Sequence, residues 1–137
     1  QPPYSLVHRA DVETCGLGEV AEDNGLALLP YQVLAAGFLT GKYRPGEPIR
    51  GARAARVKGS ATPEGFAVVD ELVAIADELG VEPATVAIAW TASRPGVVAP
   101  IASVSSPEQL PALLAAAEVK LSRSQVNRLK KVSATFS

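Results

Sequence analysis

The stretch 26–43 constrains the fold of this chain more than any other, and it reads LALLPYQVLAAGFLTGKY. It begins with four uncharged apolar residues, a pattern typical of a strand buried on both faces of a parallel sheet. The strand would end at Pro30 and Tyr31, and a loop of small residues follows. Because α/β proteins hold ligands just outside the carboxyl ends of their strands, we expect a flat ligand beside this aromatic ring. The simpler interpretation is a buried strand that ends in a plain turn.

Two further segments have the composition of strands, and each of the three candidate strands is followed by a helical pattern. Pro2 and Pro3 would lie at the margin of the first strand, because proline has no N–H to donate to a neighbouring strand. No hairpin signal separates the segments. The sequence therefore predicts a parallel α/β architecture with strands at about 1–8, 26–31 and 97–102.

Five helices are predicted from apolar spacing and capping residues. The first covers 11–24 and is weakened by its glycines. The second begins at Thr62 and Pro63 and stops at Gly80, and the third, about 83–93, carries no charge and must be buried almost all round. Capping boxes predict the starts of the last two helices, at 106–109 and 122–125.

The segment 43–61 is predicted to be a long irregular loop, since prolines and glycines interrupt every period. Its stretch up to Gly59 carries five basic residues. Such a run can bind phosphate, but it is more often simply solvated. A loop of this length in a compact domain is usually functional or mobile.

Composition excludes several classes of function. The chain has 137 residues, a formal net charge of −1 and one cysteine. This charge gives no field that would attract nucleic acid or an acidic membrane, and no apolar run approaches the roughly 20 residues that cross a bilayer. A lone cysteine suits a reducing compartment, so we expect a cytoplasmic protein. The chain lacks methionine, even at position 1, and we interpret it as a fragment.

The segment 80–97 supports a rival hypothesis. Its PATV run is similar to the sequence before the recognition helix of bacterial helix-turn-helix repressors. A recognition helix needs several polar or basic side chains for base edges and phosphates, whereas this helix offers only Thr85, Thr91 and Ser93. We therefore expect no nucleic-acid partner.

Three blocks of the sequence carry a more specific resemblance. The run LLPYQVLAAGFLTGKY at 28–43 resembles the segment around the seventh strand of the aldo-keto reductases. The run QPPYSLVHR at 1–9 is similar to their sixth strand, and APIASVSSPEQL at 99–110 to their eighth strand and the turn after it. The order and spacing of the blocks also match, so the resemblance covers almost the whole chain.

The resemblance implies a fold and an incomplete enzyme. It implies the carboxyl-terminal part of a (β/α)8 TIM barrel, whose usual length is about 250 residues. The expected partners are the missing N-terminal half of that barrel and a small-molecule carbonyl substrate. All four catalytic residues of the family precede the matching segment, so no catalytic residue and no metal ligand is assigned here. We expect the isolated fragment to be unstable and inactive.

The resemblance also implies cofactor contacts. Gln1 falls at the position that binds the nicotinamide carboxamide, and Tyr31 at the position that stacks on the nicotinamide ring. The alternatives are an exposed terminal residue for Gln1 and a core aromatic for Tyr31. The backbone from Gln32 to Leu34 would line the pyrophosphate.

The phosphate on the adenosine ribose of NADP would be held at the third block, by Ser103, Ser105 and Gln109. Many relatives have an arginine in place of Ser105 and an asparagine in place of Leu113. NADP is therefore the expected cofactor, and NAD remains open. The simpler interpretation of this turn is a plain helix cap.

Three functional hypotheses follow. The first is an NADP-dependent oxidoreductase that reduces aldehydes or ketones to alcohols, of which this chain supplies the cofactor-binding positions. The second is a non-catalytic cofactor-binding or assembly module. The third is the helix-turn-helix domain described above.

Overall fold

The computed structural model describes residues 1–51 and 53–137, and within them the regular elements are helices. Ala52, which falls in the predicted loop 43–61, lies outside the described residues. The α-helices are α1 (Ala10–Glu13), α2 (Leu17–Asp23), α3 (Ala54–Lys58), α4 (Pro63–Leu79), α5 (Pro83–Ala92), α6 (Leu110–Ala115) and α7 (Arg123–Val132). Short 3-10 helices cover Ala35–Thr40, Pro107–Gln109 and Ala134–Phe136.

The predicted parallel strands are wrong, and with them the assignment to part of a (β/α)8 barrel. In the described part of the chain, the three segments are joined only by isolated bridges, Pro3 with Tyr31 and Leu28 with Val97, both parallel. The segments do lie side by side, since the Val98 N–H donates to the Leu28 carbonyl at 3.0 Å. Each segment contains at least one proline, which has no N–H, so the hydrogen bonds between the segments are interrupted at these positions.

The expected burial on both faces is also wrong for the segments 26–31 and 97–102. Leu28 is buried, but Leu26 is 58% exposed and Val98 is 72% exposed. In 26–31 only Leu28 and Pro30 are buried, and 97–102 is half-buried or exposed throughout, whereas the first segment is buried from Tyr4 to Val7. An uncharged run in the sequence therefore indicated an extended segment here, and it did not indicate how many of its faces are covered.

The core is built around α4 and α5. Thr62 caps α4, because its hydroxyl accepts the Gly65 N–H at 3.1 Å, and α4 ends at Gly80 in a left-handed conformation, with φ 66°. Both bounds confirm the prediction. Helix α5 is buried on all sides, as its uncharged sequence predicted, and Trp90 at its end is fully buried.

Two other predicted elements differ in part. The helix predicted at 11–24 is divided into α1 and α2 at Gly16, whose φ of 88° does not fit a helix. The predicted irregular loop at 43–61 contains the short helix α3, which is anchored by the buried side chain of Val57. The capping box at the start of α7 is confirmed: Ser122 and Gln125 each accept the other's backbone N–H.

A charged cluster around the buried Arg9 joins the two ends of the chain. The Arg9 guanidinium, 2% exposed, donates to both carboxylate oxygens of Glu13 at 3.0 and 2.6 Å. It also donates to the Lys130 carbonyl at 3.1 Å and to the Ser133 hydroxyl at 2.8 Å. The Tyr4 hydroxyl donates to Glu13 at 2.6 Å. These bonds fix the segment before α1 against the end of α7.

The charged cluster changes the acidity of its members. Burial alone would raise the pKa of the Glu13 carboxyl, but the hydrogen bonds from Arg9 and Tyr4 outweigh it and hold that pKa below its ordinary value. Burial, and then the hydrogen bond to Glu13, raises the pKa of the Tyr4 hydroxyl well above its ordinary value. Glu13 is therefore ionised and Tyr4 neutral at pH 7.

Across the described ranges, no helix combines the length and the apolar character that a membrane span needs.

Candidate functional site

A cavity of about 640 Å³ lies between three parts of the chain. One wall is the loop that begins at Tyr31 and ends at Lys42, and the opposite wall is the turn 101–109 together with the first turn of α6. The basic segment before and within α3 closes a third side, and the start of α5 contributes Glu82 and Ala84. The cavity is thus bounded by segments that are far apart in sequence.

The structure brings six of the seven predicted cofactor positions to this cavity: Tyr31, Gln32, Leu34, Ser103, Ser105 and Gln109. Gln1 is exposed and is not among the described residues that line it. It is adjacent to Pro2, whose carbonyl accepts the Tyr31 N–H at 3.0 Å, so the start of the chain runs beside Tyr31.

Tyr31 has a fixed backbone and an open ring. Its carbonyl accepts the Tyr4 N–H at 3.1 Å, and its own N–H donates to Pro2. The residue is nevertheless 41% exposed. The interpretation of Tyr31 as a core aromatic is therefore wrong. An anchored residue with an exposed ring can offer an aromatic face to a ligand at little cost in conformational entropy.

The loop after Tyr31 has an unusual backbone. Gln32, Ala35 and Ala36 have φ of 56°, 47° and 58°, in the left-handed region that residues other than glycine rarely adopt. Each such residue costs on the order of 1 kcal/mol, and such residues persist where the surrounding structure holds them. Here the fully buried side chains of Val33 and Phe38 anchor the loop. Backbone strain of this kind clusters at ligand sites, although it also occurs elsewhere.

The opposite wall differs from its prediction. The turn after Ser103 enters a 3-10 helix, Pro107–Gln109, and the Ser106 side chain does not cap it, so the predicted capping box is wrong. Instead the Gln109 Oε1 accepts the Ser105 N–H at 2.9 Å. Helix α6 is only six residues long. A phosphate at this wall would therefore rely on side chains and on individual N–H groups more than on a helix dipole.

Charged side chains at the cavity were not among the predicted site residues, although the basic stretch before Gly59 was considered as a phosphate-binding run. Lys42, Arg53 and Arg56 line it, opposed by Glu82 and Glu108, which leaves one excess positive charge. The three-residue spacing of the arginines was the available signal, because it puts both on one side of a helical turn. Their position against the other walls could not be read from the sequence.

One of the carboxylates is held ionised by its neighbours. A hydrogen bond from the Ser106 side chain, and then one from the Glu108 backbone N–H, lowers the pKa of the Glu108 carboxyl. On the other wall, Lys42 has room because of Gly37, where a Cβ would lie 3.4 Å from the lysine Nζ. The cavity therefore presents cations on one side and an ionised carboxylate on the other.

The helix-turn-helix hypothesis fails on the geometry of α5. All eight residues from Ala84 to Thr91 are buried. A helix without an exposed face cannot enter the major groove of DNA.

Comparison with known proteins identifies relatives over nearly the whole chain. The sequence profile of the aldo/keto reductase family matches residues 1–134. Protein tas of Escherichia coli is 31% identical over 99% of this chain and 40% of its own length. A probable voltage-gated potassium channel subunit beta of Arabidopsis thaliana is 35% identical over 87% of this chain and 38% of its own length.

An uncharacterized oxidoreductase of Mycobacterium bovis is 36% identical over 99% of this chain and 42% of its own length. The chain thus spans about two-fifths of the length of the curated relatives it matches.

Proposed function

Because the chain belongs to the aldo/keto reductase family, we propose that it forms the cofactor-binding part of an NADP-dependent oxidoreductase that reduces aldehydes or ketones to alcohols. The observation that carries this proposal is the cavity. Six positions that the family resemblance had assigned to the cofactor, from two distant parts of the sequence, line a single space.

The residues present fit a dinucleotide. A volume of about 640 Å³ falls within the range of about 300–1,000 Å³ that is usual for ligand pockets. The cations of Lys42, Arg53 and Arg56 match the negative charge of phosphates, and the open ring of Tyr31 matches a flat nicotinamide.

When bound, the nicotinamide supplies the hydride that reduces the carbonyl carbon. The Tyr31 ring would support one face of the nicotinamide and keep water from that face. The backbone of Gln32 and Leu34 would lie beside the pyrophosphate. Gln1 stays a prediction for the carboxamide, since its amide can both donate and accept.

At the other end of the cavity, Ser103, Ser105 and Gln109 would surround the phosphate on the adenosine ribose. The Gln109 carbonyl oxygen already accepts the Ser105 N–H, so its amide nitrogen is the group left to donate. The residue that donates the proton to the substrate oxygen belongs, in this proposal, to the part of the relatives that the chain does not span.

The relative affinity for the two cofactors follows from charge. Ser105 is neutral where many relatives have an arginine, and the ionised Glu108 lies at the same wall. The cations available to the extra phosphate of NADP are therefore on the basic segment. We propose a preference for NADPH that is weak and that depends on Arg53 and Arg56.

A fluorescence titration of the full-length protein with NADPH and NADH tests this function. We expect saturable binding of both, tighter for NADPH, and a loss of about fivefold to a hundredfold in affinity in Tyr31→Ala, because one aromatic stacking contact is worth roughly 1–3 kcal/mol. Phe136→Ala is the control, since Phe136 is also an aromatic residue, is half-buried and lies outside the lining residues. Failure of the folded protein to bind either nucleotide would refute the proposal.

A second candidate is a cofactor-binding module without catalysis. It is favoured by the relatives whose names describe potassium channel subunits, in Arabidopsis thaliana and Oryza sativa. Turnover separates the two candidates: oxidation of bound NADPH by an added aldehyde supports the reductase, and tight binding without turnover of any aldehyde or ketone supports the module.

A further inference from the structure

The cavity wall on α6 rests on a small apolar cluster. The apolar cluster beneath it has three buried members, Val33, Ile88 and Ala116, against eighteen in the main core. Leu34 and Leu113 pack against this small cluster. The loop, α5 and α6 therefore meet at one thin layer below the cavity, and individual polar bonds have correspondingly more influence there.

One polar bond joins α5 to α6 directly. The Thr85 hydroxyl donates to the Ala112 carbonyl at 2.6 Å, across 27 positions of sequence. Thr85 is fully buried and Ala112 is half-buried, so water has only limited access to this bond. Ala112 lines the cavity between Pro111 and Leu113.

The backbone of α6 explains why this carbonyl needs an outside donor. In a regular α-helix the Ala112 carbonyl would accept the Ala116 N–H, but that N–H donates to Leu113 at 3.3 Å. The helix tightens at its end, and the Thr85 hydroxyl binds the Ala112 carbonyl from the side. Because Ala112 is half-buried, its carbonyl has less access to a replacement donor than an exposed carbonyl, which gives this bond a larger effect than an exposed one.

We propose that Thr85 is a positioning residue of the cofactor cavity: its buried hydroxyl fixes the wall formed by Pro111, Ala112 and Leu113 against α5. Thr85 acts through the Ala112 carbonyl and touches no ligand. The functional part of this inference rests on the proposed function above, because it takes a nicotinamide dinucleotide as the occupant.

Thr91 provides a matched control on the same helix. It is equally buried, but its hydroxyl donates to the Ala87 carbonyl at 3.2 Å, within α5 itself. Thr85→Val and Thr91→Val therefore remove the same group from the same helix, and only the first releases the cavity wall. Thr85→Ser keeps the hydroxyl and serves as the conservative rescue.

The test measures NADPH affinity by fluorescence titration in the full-length protein. We expect Thr85→Val to weaken binding about threefold to tenfold, the effect of one buried hydrogen bond, while Thr85→Ser and Thr91→Val stay within about twofold of the original. Equal affinities for the two valine variants would overturn the proposal. So would a serine variant as weak as Thr85→Val.

Amide hydrogen exchange in the absence of nucleotide keeps the test separate from the proposed function. Thr85→Val should speed exchange at 113–117, and Thr91→Val should leave those amides unchanged. If the unmodified protein binds no NADPH, the proposed function fails, and the exchange result alone decides the role of Thr85. Unchanged exchange in Thr85→Val then overturns it, and faster exchange confined to that variant supports it.

Discussion

The two sides of α5 are supported in different ways. Toward α4, residues such as Val86 and Trp90 belong to the main core of eighteen buried apolar residues. Toward the cavity, Ile88 belongs to a cluster of three. The first side is held by the burial of many apolar side chains, whereas the second depends on individual hydrogen bonds and on a strained loop. Stability and ligand affinity should therefore respond to different substitutions.

The largest expected effect lies in the main core. Leu72→Ala removes a fully buried side chain of α4, and we expect a loss of about 3 kcal/mol in the free energy of unfolding. Leu79→Ala, on the same helix but 37% exposed, should cost less than about 1 kcal/mol. Urea unfolding of the full-length protein measures both. Equal losses would show that α4 does not carry the core.

The charged cluster gives the next effect. Glu13→Gln removes the negative charge that pairs with the buried Arg9 guanidinium and weakens the hydrogen bonds between the two side chains. We expect a loss of about 2 kcal/mol in the free energy of unfolding at pH 7. In the unmodified protein the pKa of the Glu13 carboxyl is lower in the folded state than in the unfolded state, where it is near 4.5. The ionised carboxylate therefore stabilises the protein at pH values above the unfolded pKa. This stabilisation disappears as the pH falls through the folded pKa.

Unfolding free energies measured from pH 7 down to pH 3 check this sign. The loss of stability below pH 4.5 should be shallower in Glu13→Gln than in the unmodified protein. Identical slopes would show that the Glu13 carboxylate does not contribute to the pH dependence of stability. Some acid sensitivity should persist in the variant, since the pKa of the Glu78 carboxyl is also lowered, first by its hydrogen bond from Gln125 and then by that from Arg128.

A matched pair of isoleucines sharpens the comparison. Ile75→Val in the main core and Ile88→Val under the cavity remove the same methylene, and each should cost about 1 kcal/mol of stability. Only Ile88→Val should also weaken NADPH binding, by about twofold to threefold, because it loosens the layer below the site. Equal affinities in this pair would contradict a separate role for the small cluster.

The smallest effect concerns a single exposed cation. Arg53→Gln should weaken NADPH binding about twofold to fivefold, as expected for one solvent-exposed ion pair, and leave unfolding unchanged. The loss should shrink as salt is added, because exposed charges are screened. Arg50→Gln is the control, since Arg50 is also exposed and lies outside the cavity lining. An equal effect of both substitutions would indicate only a general attraction to the basic segment.

Local signals in the sequence predicted local structure well. The cap at Thr62, the stop at Gly80 and the burial of α5 all follow from capping chemistry and apolar spacing, which act within a few residues. The strands failed because a strand depends on distant partners, and prolines such as Pro30 interrupt the hydrogen bonds those partners need.

Site residues could be predicted only where the family resemblance assigned residues that are far apart in sequence to one ligand. Tyr31 and Ser105 were assigned to one ligand although 74 positions separate them, and they share a cavity. Helix packing brings Arg56 and Glu82 to the cavity and Thr85 to the Ala112 carbonyl. No short sequence motif predicts this packing.

Hydrogen exchange of the full-length protein with and without saturating NADPH tests directly whether this cavity binds the dinucleotide. We expect slower exchange on binding at 32–36 and 103–109, with α7 unchanged. Saturable NADPH binding that leaves both of these segments unprotected would contradict it.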